Sequence, residues 1–175
     1  YILPAATLRP ETVFGATNLW LNPDVKYVSA EVDGELWIVS EQAIEKLREQ
    51  GYQVGEVGPI QIDFRRKVEV PLTHKQVPIL PAKFVDPDNA TGVVGSVPSH
   101  APYDHVALLE LQRRPEVLKQ YGMDSRMVVG LKPISLIEVG GFGESPAIDV
   151  VDRMKIKSQI DPQLEEATAE VYRNE

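Results

Sequence analysis

GVVGSVPSHAPYDHVAL, residues 92–108, changes character twice. Small and apolar residues come first, as in a short strand. Prolines at 98 and 102 then break the run, and beyond Pro102 the apolar positions Val106, Leu108, Leu109 and Leu111 recur at helical spacing. The stretch predicts a strand feeding a helix through a proline-stiffened turn. His100, Tyr103, Asp104 and His105 cluster where that turn meets the helix. A carboxylate at Asp104 suits the start of a helix, where the dipole and free N–H groups favour negative charge. A second reading turns one carboxylate oxygen toward a cleft, where a charge-assisted hydrogen bond holds a ligand cation such as an α-ammonium. Residue type and position alone do not choose between the two.

Working outward, VKYVSAEVDGELWIVS (25–40) holds two β-rich runs around Asp33-Gly34, a hairpin signal. SEQAIEKLREQG (40–51) predicts a helix with Ser40 as cap, Ile44 and Leu47 on one face, and Gly51 at its end. Further apolar runs at 68–70, 77–85, 91–97 and 133–139 read as short strands, and the prolines in or beside them suggest edges, bulges or strand starts. Pro115 opens a second helical segment, PEVLKQYG. Asp161-Pro162 reads as an N-cap and N1 pair opening a weakly apolar amphipathic helix over 161–175. Strands cluster without regular helix alternation. This predicts a mixed, β-rich α/β fold, a curled, barrel-like sheet with several helices outside, rather than a doubly wound sheet.

The chain has 175 residues, 43% hydrophobic and 25% charged, as expected for one globular domain spanning 1–175. No cysteine is present, which excludes disulfides, thiolate metal sites and a cysteine nucleophile. No apolar run reaches transmembrane length. The chain opens on Tyr1 with strand-like residues and no signal peptide, and is read as a piece of a larger protein. A net charge of −8 argues against an independent nucleic-acid binder.

The generic chemistries fit poorly. His100, Asp104 and His105 lack the H-E-x-x-H spacing, and Pro102 interrupts a regular helix between His100 and Asp104, so no metal site is expected. Ser96, Ser99, His100 and Asp104 supply the letters of a triad without the G-x-S-x-G elbow. VGGFGESP (139–146) matches no phosphate loop and reads as a turn.

Two longer motifs do match. ATLRPETVFGATNLWLNPD (6–24), with Thr7, Leu8, Arg9, Pro10, Glu11 and Thr12, resembles the threonine-rich motif of the editing domain of class I aminoacyl-tRNA synthetases for leucine, isoleucine and valine. TGVVGSVPSHAPYDH (91–105) resembles the second hallmark of that domain, a T-G-x-V run, a P-x-H step and an aspartate four residues on. TNLWLNPD, SVPSHAPYDHVALLEL and PAIDVVDRMKIKSQ are similar to the archaeal and eukaryotic leucine type. The resemblance covers essentially the whole chain. The signatures of the synthetic site are missing, which implies the connective-peptide (CP1) insertion alone, with 161–175 near the junction to the parent enzyme.

The resemblance implies proofreading hydrolysis of the ester of mischarged tRNA(Leu), with isoleucyl, methionyl or norvalyl groups accepted and leucyl excluded. It assigns Asp104 to the substrate α-ammonium and Thr12 to the wall that clashes with the γ-branch of leucine; the stiff χ1 of a β-branched residue suits that task. Thr7 is expected near the scissile ester, with Arg9, Leu8, Ser96 and His100 lining the substrate. Leu8 stands where many bacterial relatives carry a second threonine, so no second hydroxyl is carried over. The implied partners are the 3′-terminal aminoacyl-adenosine of the tRNA and the catalytic core of a cytoplasmic parent synthetase. No membrane partner, no metal and no cofactor are expected in this domain; ATP and Mg would serve the parent elsewhere. The alternatives are an isoleucine or valine editing domain and a non-catalytic tRNA-docking module.

Overall fold

Seven strands and five α-helices form in the computed structural model, which describes residues 1–175. In chain order they are β1 (Asn18–Leu21), β2 (Tyr27–Val32), β3 (Glu35–Ser40), α1 (Ala43–Glu49), β4 (Val54–Pro59), β5 (Lys67–Glu69), β6 (Gln76–Pro81), β7 (Val94–Ser96), α2 (Pro102–Arg113), α3 (Arg126–Val129), α4 (Pro146–Met154) and α5 (Gln163–Asn174). The fold is mixed α/β, as the strand clustering predicts. Its strands make a sheet of order β3-β2-β4 and a sheet of order β5-β6-β1-β7, and neither is a closed barrel. The residues gather in two units: Tyr1–Leu8, Leu19–Asp63 and Leu80–Gly95 in one, Arg9–Asn18, Phe64–Ile79 and Ser96–Glu175 in the other.

In the first unit β2 and β3 pair antiparallel from Tyr27↔Ser40 to Val32↔Glu35. Asp33 and Gly34 turn the chain with φ of 50° and 83°. Two positive φ values are what a type I′ hairpin turn demands, and they explain Asp-Gly there. Val28, Ala30 and Val32 alternate inward along β2 and meet Val39 of β3 and Ala43, Ile44 and Leu47 of α1. The end of α1 is as read from the sequence: the Gly51 N–H reaches the Arg48 carbonyl and the Tyr52 N–H the Leu47 carbonyl, both at 3.0 Å, a Schellman pair. Its start is not. Ser40 stays in the β2–β3 ladder and its hydroxyl donates to the Pro87 carbonyl at 2.7 Å, so it caps nothing. The second hairpin strand runs to residue 40 as read, and α1 begins three residues later without a side-chain cap.

In the second unit α2, α4 and α5 share a core of Val106, Val150, Val151, Ile156, Leu164, Ala167 and Val171. The α5 members fall at i, i+3 and i+7, one apolar stripe. Asp161 Oδ1 accepts the Gln163 N–H at 3.0 Å, as the Asp-Pro start predicts. Pro115–Tyr121 winds as a 3₁₀ helix. The run at 133–139 forms no strand: Pro133 offers no N–H, and the Leu136 N–H is taken by a side chain, so the ladder lacks donors. Pro78 does not mark an edge either, since β6 is an interior strand; it opposes Lys67 at the end of a short ladder.

Around Tyr27 the first unit has little room to give. Its hydroxyl donates to the Gly92 carbonyl at 2.7 Å and accepts the Asn22 N–H at 3.1 Å. A Cβ on Gly92, which has φ of 70°, would stand 2.6 Å from Ser40 Cβ. Gly92→Ala therefore combines backbone strain with overpacking and should destabilise by about 3 kcal/mol. Gly34→Ala, with open space at its Cβ, should lose about 1 kcal/mol from strain alone. Urea unfolding of both variants checks the difference. Burial pushes the Tyr27 phenol from 10.0 up to about 12, against the Asn22 hydrogen bond. The unfolded chain then ionises first, so this contribution is complete below pH 10 and is lost as pH rises to about 12. Tyr27→Phe should remove that alkaline loss, measured as unfolding midpoint against pH.

Candidate functional site

Asp104 lies in the first turn of α2, just after the Pro102 that opens it with a preset φ. It is only 3% exposed. Its Oδ2 accepts the Val97 N–H at 2.7 Å. The same Val97 turns its carbonyl to the N–H groups of His100 and Ala101, each at 3.0 Å. The proline-rich turn is thus a closed hydrogen-bonded loop between the end of β7 and the start of α2. Ser96, the last residue of β7, is fully buried, and its carbonyl accepts the Thr17 N–H at 3.0 Å.

His100 sits inside this loop with its side chain 3% exposed. Its Nε2 lies 3.0 Å from the Leu136 backbone N–H. An amide N–H can only donate, so Nε2 accepts and the ring proton belongs on Nδ1. Nδ1–H then donates to Glu175 Oε1 at 2.6 Å. The other Glu175 oxygen meets Arg9 Nη2, and the Glu175 side chain is fully buried. The Arg9 guanidinium carbon lies 5.1 Å from the centre of the Tyr172 ring, within cation–π range. The Arg9 carbonyl accepts the Thr12 N–H at 3.1 Å and the Thr12 hydroxyl at 2.6 Å. Burial raises the Tyr172 phenol, the negative charges of Asp104 and Glu175 add to the rise, and Arg9 opposes it. Burial lowers the His105 imidazole, Arg113 adds to that, and Asp152 opposes it.

Arg9, Thr12, Ser96, His100 and Asp104 therefore belong to the second unit, although the two motifs are far apart in the chain. Thr7 and Leu8 belong to the first unit; Thr7 is exposed and Leu8 is 98% exposed. Sequence reasoning missed Glu175, Tyr172 and Leu136. No spacing announces a carboxylate that is 166 positions from its arginine. An acidic residue closing an amphipathic helix reads as a solvated face.

No family model matches the sequence. The chain is 48% identical over 176 residues to a leucine–tRNA ligase of Methanothermobacter thermautotrophicus. It is 51% identical over 180 residues to the leucine–tRNA ligase of Aeropyrum pernix. Each comparison covers 99% of this chain, which spans 19% of the relative's length. Among solved structures, GlLeuRS-CP1 superposes with a TM-score of 0.81 at 30% identity, covering 98% of this chain and 68% of that one. The editing domain of the P. falciparum cytosolic leucyl-tRNA synthetase gives a TM-score of 0.84 at 18% identity over 98% of this chain and 66% of that one, a likeness of fold. A likeness that covers nearly all of this chain, in sequence to leucine–tRNA ligases and in structure to GlLeuRS-CP1, means that the chain belongs to the CP1 family of leucyl-tRNA synthetases.

Proposed function

We propose that this chain hydrolyses the ester of tRNA(Leu) carrying the wrong amino acid, accepting norvalyl, isoleucyl and methionyl groups and rejecting leucyl. The observation that carries the reading is the folding of Arg9–Thr12 and Ser96–Asp104, two distant motif segments, into one unit bridged by a single carboxylate. The alternative of an isoleucine or valine editing domain loses ground because the curated relatives reported above are leucine–tRNA ligases.

The need for a second site is energetic. A hydrophobic pocket separates side chains differing by one methylene by only about 1–3 kcal/mol, less than accurate translation requires. A site that rejects by shape what the first accepts closes the gap. In this reading Thr12 supplies the rejecting wall. Its χ1 is stiff by β-branching, and its hydroxyl bond to the Arg9 carbonyl fixes the rotamer further. Asp104 binds the α-ammonium. A carboxylate offers about four acceptor sites, of which the Val97 N–H takes one. Arg9, Ser96 and His100 shape the surroundings within the second unit; the motif resemblance assigns Thr7 to the scissile ester and Leu8 to the substrate.

The step is attack of water on the ester carbonyl, giving free amino acid and intact tRNA. Positioning does most of the work: the ammonium is anchored, the terminal adenosine is seated, and water is held near the carbonyl. The chemistry as written needs no metal or organic cofactor in this domain; ATP and Mg belong to the synthetic reaction of the parent. The partners are the 3′-terminal aminoacyl-adenosine and the catalytic core of the parent synthetase, in the cytoplasm. No helix is long and apolar enough to cross a membrane.

Asp104→Asn separates clamp from scaffold, because an amide oxygen still accepts the Val97 N–H while the charge is gone. The variant should fold with a thermal midpoint near the parent's and lose about 10–100-fold in affinity for a non-hydrolysable norvalyl-adenosine mimic. Unchanged affinity by calorimetry would remove Asp104 from the ammonium site. Thr12→Ala should let leucyl-tRNA(Leu) be hydrolysed about 10–200-fold faster, while Thr12→Val, which keeps the branched shape, should still reject it. Deacylation of leucyl- and norvalyl-tRNA(Leu) side by side reads both.

A further inference from the structure

Arg9 precedes Thr12 and His100 precedes Asp104, and both side chains end on the one carboxylate of Glu175. We propose that Glu175 is a positioning residue of the hydrolytic site, holding the wall and the ammonium clamp in register from the end of α5. The inference rests on the ester-hydrolysis reading above.

The carboxylate is fully buried, a place where a charge persists only if donors meet it. Arg9 Nη2 meets one oxygen and His100 Nδ1–H the other. Both partners are donors in this geometry: a guanidinium has no acceptor, and the His100 ring proton is placed on Nδ1 by the Leu136 N–H at Nε2. Each donor meets its own oxygen, so the arrangement uses acceptors at both ends of the carboxylate. The last turn of α5 adds a second grip, the Tyr172 ring on the Arg9 guanidinium. From Arg9 the constraint passes through its carbonyl to the Thr12 N–H and hydroxyl. From His100 it passes along the closed loop whose Val97 N–H binds Asp104.

Two oxygens are the testable element. Glutamine has nearly the shape of glutamate but replaces one of the two acceptor positions with an NH2 donor, so it can hold Arg9 or His100 where each now stands, not both. If Glu175 merely fills space, Glu175→Gln is innocuous. If it positions, Thr12 loosens and the sieve leaks. The experiment uses the full-length synthetase carrying this chain, comparing deacylation of norvalyl- and leucyl-tRNA(Leu) for the wild type and Glu175→Gln, with leucine charging as the control on the remainder of the enzyme. The expected result is a kcat on the norvalyl ester lower by about 10–100-fold and hydrolysis of the leucyl ester raised by about tenfold or more, with charging unchanged. A variant that has lost its fold cannot gain leucyl hydrolysis. Absence of that gain, whether norvalyl hydrolysis is kept or lost, overturns the positioning role. A wild-type enzyme that hydrolyses neither ester overturns the editing reading and this inference together.

Discussion

A carboxylate taken out of water survives as a charge only where fixed donors surround it, and the second unit takes two out. Asp104 is met by the Val97 amide at the first turn of α2. Glu175 is met by Arg9 and His100. These donors come from the turn before α2 and from the segment that enters the Pro10–Gly15 helical turn, while Glu175 itself follows α5. Removing one partner of a buried pair typically costs about 3–5 kcal/mol, because the other charge is left uncompensated. The two charges thus make large departures from the observed arrangement of these segments unfavourable. The apolar core of α2, α4 and α5 supplies burial, but hydrophobic contact is non-directional and could not by itself fix which way a side chain points.

Local features of the fold were legible because their causes are local. Asp33-Gly34 must take positive φ, so the hairpin shows in two letters. Gly51 ends α1 and Asp161 caps α5 through bonds within a few residues. What escaped sequence reasoning depends on distant partners. Ser40 looks like a cap until the Thr91 carbonyl claims its N–H and Pro87 its hydroxyl. The run at 133–139 looks like a strand until His100 takes the Leu136 N–H. The candidate site divides in the same way. Its motif residues are contiguous letters and were named from sequence; Glu175, which bridges Arg9 and His100, is separated from them by 166 and 75 positions.

The two sequence readings of Asp104, helix start and ligand clamp, need not compete. A carboxylate in the first turn of a helix is already stabilised by the dipole and by an amide donor, which lowers the penalty of holding a charge away from water before any ligand arrives. The scaffold bond and the proposed ammonium bond fall on one side chain because a clamp that must not swing needs an anchor of its own. This also explains a turn built from prolines and small residues: it closes on the Val97 carbonyl with little freedom left to lose when a ligand binds.

Selectivity against leucine, in the proposed reaction, is then a question of stiffness rather than of area. The difference between norvaline and leucine is one branch, and a pocket wall that yields can accommodate it. A threonine held by packing alone resists rotation through its branched Cβ but would yield by shifting its backbone. Thr12 is opposed in both: its hydroxyl and its N–H end on the same Arg9 carbonyl, and Arg9 is gripped by a buried carboxylate and an aromatic face. Moving the wall therefore means moving an ion pair whose carboxylate is fully buried. In that reading the discrimination attributed to one methyl group is carried by the chain of polar bonds behind it.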